Sequence, residues 1–124
     1  MLSGEIAPAS RRPRTKYGVA PKEERTYGGR IYASKKEASY AAQLDQLKAA
    51  RGVARVLEWR PQVKVPLVVN GVTVAVYVAD FVVWYRSPER VEVHEVKGFE
   101  TPMWRLKEKL FRAIYPDMVL KVIR

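Results

Sequence analysis

The sequence predicts an α/β protein, a mixed sheet flanked by two helices in the order helix, three antiparallel strands, helix, strand. Three observations lead to this prediction. A stretch with helical spacing at 34–52 comes first, valine-rich stretches separated by turn residues follow, and a second helical stretch at 101–116 precedes a last short apolar run. A helical crossover before the last strand brings that strand into the sheet parallel to its neighbour, which makes the sheet mixed.

The first predicted helix has a recognisable start and end. Ser34 followed by Glu37 three residues later is a capping-box pattern, and Gly52 stops the helix. Its apolar stripe consists of Tyr40, Ala41, Leu44 and Leu47. Glu37 falls on the same face as this stripe, because residues three, four and seven positions apart are neighbours on a helix. A carboxylate therefore begins the face that we expect to be buried.

The predicted strands begin after this helix. Residues 53–59 and 63–69 are rich in valine, and we expect Pro61 to break the strand between them and Pro66 to bend it. The Asn-Gly pair at 70–71 predicts a tight hairpin turn.

The remaining elements follow in order. Residues 72–86 form a long strand with apolar residues on both faces, which predicts that it is covered on both sides. Residues 91–98 begin as an alternating strand. Thr101 is the predicted N-cap of the second helix and Pro102 fits its first turn. The last strand is predicted at 118–123.

The charge of the chain favours a polyanionic partner. The net charge is +10, from 23 basic and 13 acidic residues, and nucleic acid is the usual partner of so basic a protein. We interpret residues 1–30 as a basic arm and 31–124 as the folded domain. Candidate DNA contacts near the start of the chain are Arg11, Arg12, Arg14, Lys16, Arg30, Lys35 and Lys36. A solubilising tail or a ribosome-type arm is the alternative.

The composition also excludes several classes of site. The chain has no cysteine and one histidine, which excludes disulfides, cysteine-ligated zinc and a histidine-rich metal site. No apolar signal core opens the chain, and no run approaches the roughly 20 apolar residues of a membrane span. We therefore expect a cytosolic protein.

Four charged residues stand on faces that the pattern predicts to be apolar. Asp80 shares a face with the valines of the long strand, and Glu95 and Lys97 follow Val91 and Val93 on one face of the next strand. Glu37 is the fourth. A lone buried charge costs several kcal/mol, so such groups are paired or bind an ion.

These charges predict a metal site. Asp80 and Glu95 lie near the ends of two strands joined by a short turn, and hard oxygen ligands suit Mg²⁺ or Mn²⁺. Lys97 extends from the same side of its strand as Glu95 and can neutralise a phosphate. Two alternatives remain open, since Glu37 can be simply a capping-box residue and Asp80 and Lys97 can form a structural ion pair.

A helix Glu, a strand Asp and then Glu-Val-Lys at 95–97 on the next strand resembles the PD-(D/E)XK nuclease superfamily. The element order resembles its αβββαβ core, and the short, basic chain looks most like phage-encoded and archaeal-type Holliday junction resolvases. The resemblance spans about residues 31–123. Ala79 stands where the family has a proline before the Asp.

The resemblance implies a Mg²⁺-dependent endonuclease, with Mn²⁺ as a substitute, that cuts branched double-stranded DNA as a homodimer. By position, it implies that Asp80, Glu95 and the carbonyl of Val96 bind the metal, that Glu37 binds through water or a second ion, and that Lys97 orients the attacking water. For a phage-encoded protein the site of action would be the host cytoplasm.

Further candidates are less specific. Gln62 and Ser34 could line the site. Arg105, Lys109 and Arg112 form a basic stripe on the second helix, which is either a solvated face or a DNA contact. Trp84 and Tyr85 are either an exposed dimer surface or part of the core, and His94 is interpreted as a surface or packing residue. Two other functions compete, a nuclease of the same fold for flaps, ends or duplex DNA, and a basic DNA-binding protein without catalysis.

Overall fold

The computed structural model describes residues 19–52, 55–86 and 88–124. The chain divides into two compact units, Met1–Ala42 and Gln43–Arg124, with the boundary inside the first long helix. Four of the predicted DNA contacts lie outside the described residues: Arg11, Arg12, Arg14 and Lys16.

The first unit contains short elements that the sequence pattern did not indicate. A 3-10 helix at Lys22–Arg25 leads into a small antiparallel hairpin of β1 (Thr26–Tyr27) and β2 (Arg30–Ile31). Gly28 and Gly29 both have positive φ, which lets the chain reverse in two residues. The guanidinium of Arg25 donates to the carbonyls of Ala20 and Tyr32, each at 2.8 Å, and so holds this segment together.

Helix α1 spans Lys35–Ala49. The backbone N–H of Glu37 donates to the Ser34 hydroxyl at 3.0 Å, which confirms Ser34 as the capping residue. Of the predicted stripe, Ala41 and Leu44 are fully buried and Leu47 is 37% exposed. In the second unit, the end of the helix is tied to the first long strand, because Trp59 donates to Asp45 at 2.8 Å.

The second unit is built on a mixed four-stranded sheet. Its strands are β3 (Val56–Val69), β4 (Val72–Arg86), β5 (Glu89–Val96) and β6 (Val119–Ile123), in that spatial order. The first three are antiparallel, and β6 lies parallel to β5 after the crossover through helix α2 (Pro102–Ile114). The predicted fold class, an α/β protein with the order αβββαβ, is confirmed.

Strand β3 corrects the expectation that Pro61 breaks it, because it runs unbroken through both prolines. β3 is an edge strand, where a missing backbone N–H is tolerated. Next to Pro61, Gln62 has φ of 53°, a left-handed conformation that non-glycine residues rarely adopt. The predicted turn is confirmed, since Asn70 and Gly71 have φ of 54° and 79°, as a type I′ hairpin requires.

The core of the second unit lies between the sheet and α2. Thr101 caps this helix, accepting from the backbone N–H of Trp104 at 3.1 Å, and Pro102 occupies its first turn as predicted. The rings of Phe111 and Tyr77 meet edge to face, with centroids 5.5 Å apart. The buried members of this core are Leu67, Tyr77, Ala79, Val82, Val93, Trp104, Phe111 and Leu120.

Strand β4 is not covered on both sides along its whole length. Val72, Val74, Val76 and Val78 are 41–61% exposed, whereas Val82 is buried. Two features explain the difference. Strand β5 pairs with β4 from Phe81 onward, so the valine half of the β3–β4 hairpin extends past it. The face of β4 that contributes to the core also changes, from Tyr77 and Ala79 before Asp80 to Val82 after it.

Two further expectations change once burial is known. Tyr85 is buried, and Trp84 is partly buried against the core, so these aromatic side chains do not form the exposed dimer surface that was one of their two interpretations. His94 is 2% exposed and therefore a packing residue.

Among the described residues, no helix is both long and apolar enough to cross a membrane.

A buried ionic cluster lies on the face of β5 that carries Glu92 and His94. The Glu92 carboxylate accepts from Arg90 at 2.8 Å and lies 2.9 Å from His94 Nε2 and 3.3 Å from Lys121 Nζ. Burial raises the pKa of Glu92, but hydrogen bonds from His94, Arg90 and Lys121 outweigh it and lower the pKa to about 2. Burial also lowers the pKa of His94. The polar side chains of this face thus form an ion cluster in which Glu92 and His94 are buried and Arg90 and Lys121 reach solvent.

Candidate active site

Strand pairing brings Asp80 and Glu95 together. The register pairs Phe81 with His94, so Asp80 and Glu95 occupy the next cross-strand position and share a face. The backbone N–H of Val96 donates to Asp80 Oδ2 at 2.9 Å, and the backbone N–H of Asp80 donates to Glu95 Oε1 at 3.4 Å. Each carboxylate is therefore held by the main chain of the opposite strand.

Glu95 is 3% exposed, and its carboxylate has partners on both oxygens. The hydroxyl of Tyr77 donates to Oε1, and Lys97 Nζ lies 3.3 Å from Oε2. Burial, and then the negative charge of Glu95, raise the pKa of Tyr77 well above its ordinary range, so the phenol keeps its proton and remains a donor. The expectation that misplaced charges would be paired is met here by Glu95 and Lys97.

Lys97 stands where β5 ends. Its backbone N–H donates to the carbonyl of Ile123 at 2.8 Å, which continues the parallel ladder with β6 by one residue. Its ammonium lies 4.9 Å from the centre of the Trp104 ring, within cation–π range. The lysine is thus fixed between the Glu95 carboxylate and the first turn of α2.

These groups line one open cleft of about 320 Å³. Its walls are formed by Gln62, Tyr77, Val78, Asp80, Glu95, Lys97, Thr101, Met103, Trp104 and Lys107. Gln62, which the sequence offered as a residue that could line the site, does line this cleft. Tyr77, Trp104 and Lys107 also line it and were not among the predicted site residues. Helical spacing offered a signal for the last two, since Trp104 and Lys107 are three residues apart and share a face of α2.

The other candidate residues of the described ranges belong to the first unit or to α2. Glu37 and Ser34 belong to the first unit, at the start of α1, where Glu37 is 8% exposed. Arg30, Lys35 and Lys36 are exposed in the same unit.

On α2 the predicted basic stripe is exposed throughout. Two of its members have acidic neighbours, because Arg105 lies 3.6 Å from Glu100 and Arg112 lies 2.9 Å from Glu108. Lys109 is the third member.

The donor set of the cleft fits a magnesium ion. Mg²⁺ usually keeps several waters and is held by one or two carboxylates together with substrate phosphates. Asp80 and Glu95 supply two carboxylates in one cleft, and Asp80 is partly exposed there. Within the described ranges, no group of three or more His, Cys, Asp or Glu side chains is placed to hold a metal by itself.

Fold and cleft together define an α/β protein with two adjacent carboxylates and a lysine at the ends of neighbouring strands. The chain belongs to the family described as "Protein of unknown function (DUF1064)", whose model matches residues 14–124. No curated protein matches the chain, and no solved structure does.

For a divalent metal held by Glu95, removing the Tyr77 hydroxyl is expected to weaken binding. In Tyr77→Phe the Glu95 carboxylate loses a buried donor, and the loss of such a supporting hydrogen bond typically costs about 10-fold or more in metal affinity. Mn²⁺ titration followed by the electron paramagnetic resonance signal of the free ion measures this directly, without any need for catalysis.

Tyr115→Phe is the matched control. Its hydroxyl donates to the carbonyl of Pro66 at 3.0 Å and contacts neither carboxylate, so Mn²⁺ affinity should not change. Equal affinities for Tyr77→Phe and the parent protein would show that the phenol does not support a metal ligand.

Proposed function

We propose that this chain is a Mg²⁺-dependent structure-specific DNA endonuclease that hydrolyses phosphodiesters, with Holliday junctions as its substrate. The observation that carries the proposal is the arrangement of Asp80, Glu95 and Lys97 in one cleft of a chain with net charge +10. Charged groups of opposite sign that converge in one cleft are typical of binding and catalytic sites.

The metal would be held by Asp80, Glu95 and the carbonyl of Val96. When bound, it would activate water and offset charge on the phosphate. Glu95 also keeps Lys97 in place, since their charged groups are 3.3 Å apart. In the reaction the water oxygen bonds to phosphorus and releases a proton to solvent, while the bond from phosphorus to the leaving oxygen breaks and that oxygen takes up a proton from solvent. Lys97 orients that water and stabilises the negative charge that develops on the phosphoryl oxygens.

The junction assignment adds a partner, a second copy of the chain. Resolution of a four-way junction requires two symmetric nicks, and each chain contributes one set of Asp80, Glu95 and Lys97. A two-fold homodimer is the simplest way to present two sites to one junction. Arg30, Lys35, Lys36, Arg105, Lys109 and Arg112 are the proposed phosphate contacts in the described residues. We propose that the protein acts in the cytoplasm, which would be the host cytoplasm for a phage-encoded protein.

Cleavage of a defined panel of DNAs tests this function. We expect nicking of a four-way junction with Mg²⁺, its loss with EDTA, and weaker cutting of flap, single-stranded and linear duplex DNA. A cruciform plasmid should become linear within one binding event, because two sites act together. Mg²⁺-dependent cutting that favours flaps or linear duplex would support a nuclease with another substrate. Binding without cutting in Mg²⁺ or Mn²⁺ would refute the nuclease and leave a basic DNA-binding protein.

A further inference from the structure

We propose that Lys107 forms a second phosphate subsite in the cleft, for a phosphate neighbouring the one that lies beside Lys97. The inference rests on the proposed function in one respect, that the ligand of the cleft is a nucleic acid strand. It does not require that the strand be cut.

The position of Lys107 supports this subsite. Lys107 lines the cleft together with Asp80, Glu95 and Lys97. It stands one helical turn after Trp104, whose ring lies 4.9 Å from the Lys97 ammonium. Because both lysines line one cleft, a single nucleic acid strand lying in that cleft would pass both ammonium groups.

The charge balance of the cleft supports it as well. The charge of Lys97 is compensated inside the protein, because Glu95 lies 3.3 Å away. Across the described residues, by contrast, no carboxylate lies within 4.0 Å of the Lys107 ammonium. A partly exposed ammonium in a concave site is accessible to an anion from outside, and lysine binds phosphate well as a point charge.

The neighbouring cations of α2 differ in this respect. Arg105 and Arg112 are exposed outside the cleft and have Glu100 and Glu108 beside them. Lys107 is thus the cation on α2 that both lines the cleft and lacks an internal carboxylate partner among the described residues. Sequence spacing had pointed to the exposed stripe instead.

The test measures binding of a fluorescein-labelled four-way DNA junction in EDTA, where hydrolysis plays no part. Each phosphate contact contributes about 0.9 to the slope of log affinity against log salt, which is roughly 8-fold in affinity between 1 M and 0.1 M salt. Lys107→Ala should lower the slope by about 0.9 and weaken binding by about 8-fold at 0.1 M salt. Lys107→Arg keeps the charge and should restore both. Arg86→Ala is the control, because Arg86 is an exposed cation six residues along β4 from Asp80, about 20 Å away.

A second arm locates the phosphate. In this arm a neutral methylphosphonate replaces one phosphate at a time near the branch point. At one position the replacement should weaken binding by the parent protein. At that same position it should leave the affinity of Lys107→Ala unchanged. An unchanged salt slope in Lys107→Ala, or equal losses at every methylphosphonate position in both proteins, would overturn the subsite. Failure of the parent protein to cut with any divalent metal would refute the proposed nuclease but leave these binding results interpretable.

Discussion

Asp80→Asn, Glu95→Gln and Lys97→Ala are each expected to reduce Mg²⁺-dependent DNA cleavage by at least about 10³-fold. The first two remove a charge from the paired carboxylates, and the third removes the cation that lies 3.3 Å from Glu95. Amide replacements keep the shape of the side chains, so the strand contacts with Val96 and Tyr77 can persist. Initial rates at saturating DNA separate this loss of turnover from any loss of binding.

Asp117→Asn is the control for the carboxylate changes, since Asp117 is exposed and lies beyond α2. It should cut at the parent rate. Thermal unfolding of each variant must show a folded protein before its rate is interpreted, because Lys97→Ala leaves the Glu95 carboxylate buried without its cation. A folded variant that still cuts at the parent rate would remove that residue from the proposed site.

The second large effect is expected in the ion cluster around Glu92. Glu92→Gln should lower the free energy of unfolding at pH 7 by about 2 kcal/mol, less than the full pKa change implies, because Arg90 and Lys121 reach solvent. The native pKa of Glu92, about 2, lies below its usual 4.5. The carboxylate therefore stabilises the fold fully above pH 4.5, and this contribution is lost as the pH falls through 2.

Urea unfolding between pH 7 and pH 3 measures this dependence. The difference in the free energy of unfolding between the parent protein and Glu92→Gln should fall by pH 3 to less than about half of its value at pH 7. Glu89→Gln, at the exposed start of the same strand, should match the parent protein at every pH. If the two free energies of unfolding differ by the same amount at every pH, the charge of Glu92 does not stabilise the fold.

Local sequence signals were sufficient to predict most of the fold. Ser34, Thr101 and the Asn-Gly turn act through their own neighbours, so their effects can be read without knowing the rest of the chain. Pro61 was misleading for the opposite reason. Whether a proline breaks a strand depends on whether that strand lies at the edge of the sheet, and the sheet order is set by distant residues.

Some residues of the candidate site can likewise be predicted from local signals, and others depend on the tertiary fold. Asp80, Glu95 and Lys97 stood out because charge on a predicted apolar face is costly wherever it occurs. The hydroxyl of Tyr77 reaches Glu95 because the face of β4 that contributes to the core changes at Asp80, and period-two alternation does not indicate such a change. Helical spacing places Lys107 on the same face of α2 as Trp104, but which face of α2 borders the cleft depends on how the helix packs on the sheet.

The backbone at Gln62 adopts a costly conformation at a position that lines the cleft. Gln62 lies across from Asp80, between the paired residues Pro61–Phe81 and Val63–Ala79, and its φ of 53° is a conformation that glycine adopts without strain. For another residue such a conformation costs of order 1 kcal/mol or more. Glycine would avoid that strain. The side chain of Gln62 lines the cleft, so the strained backbone places an amide in the same cleft as Asp80 and Glu95.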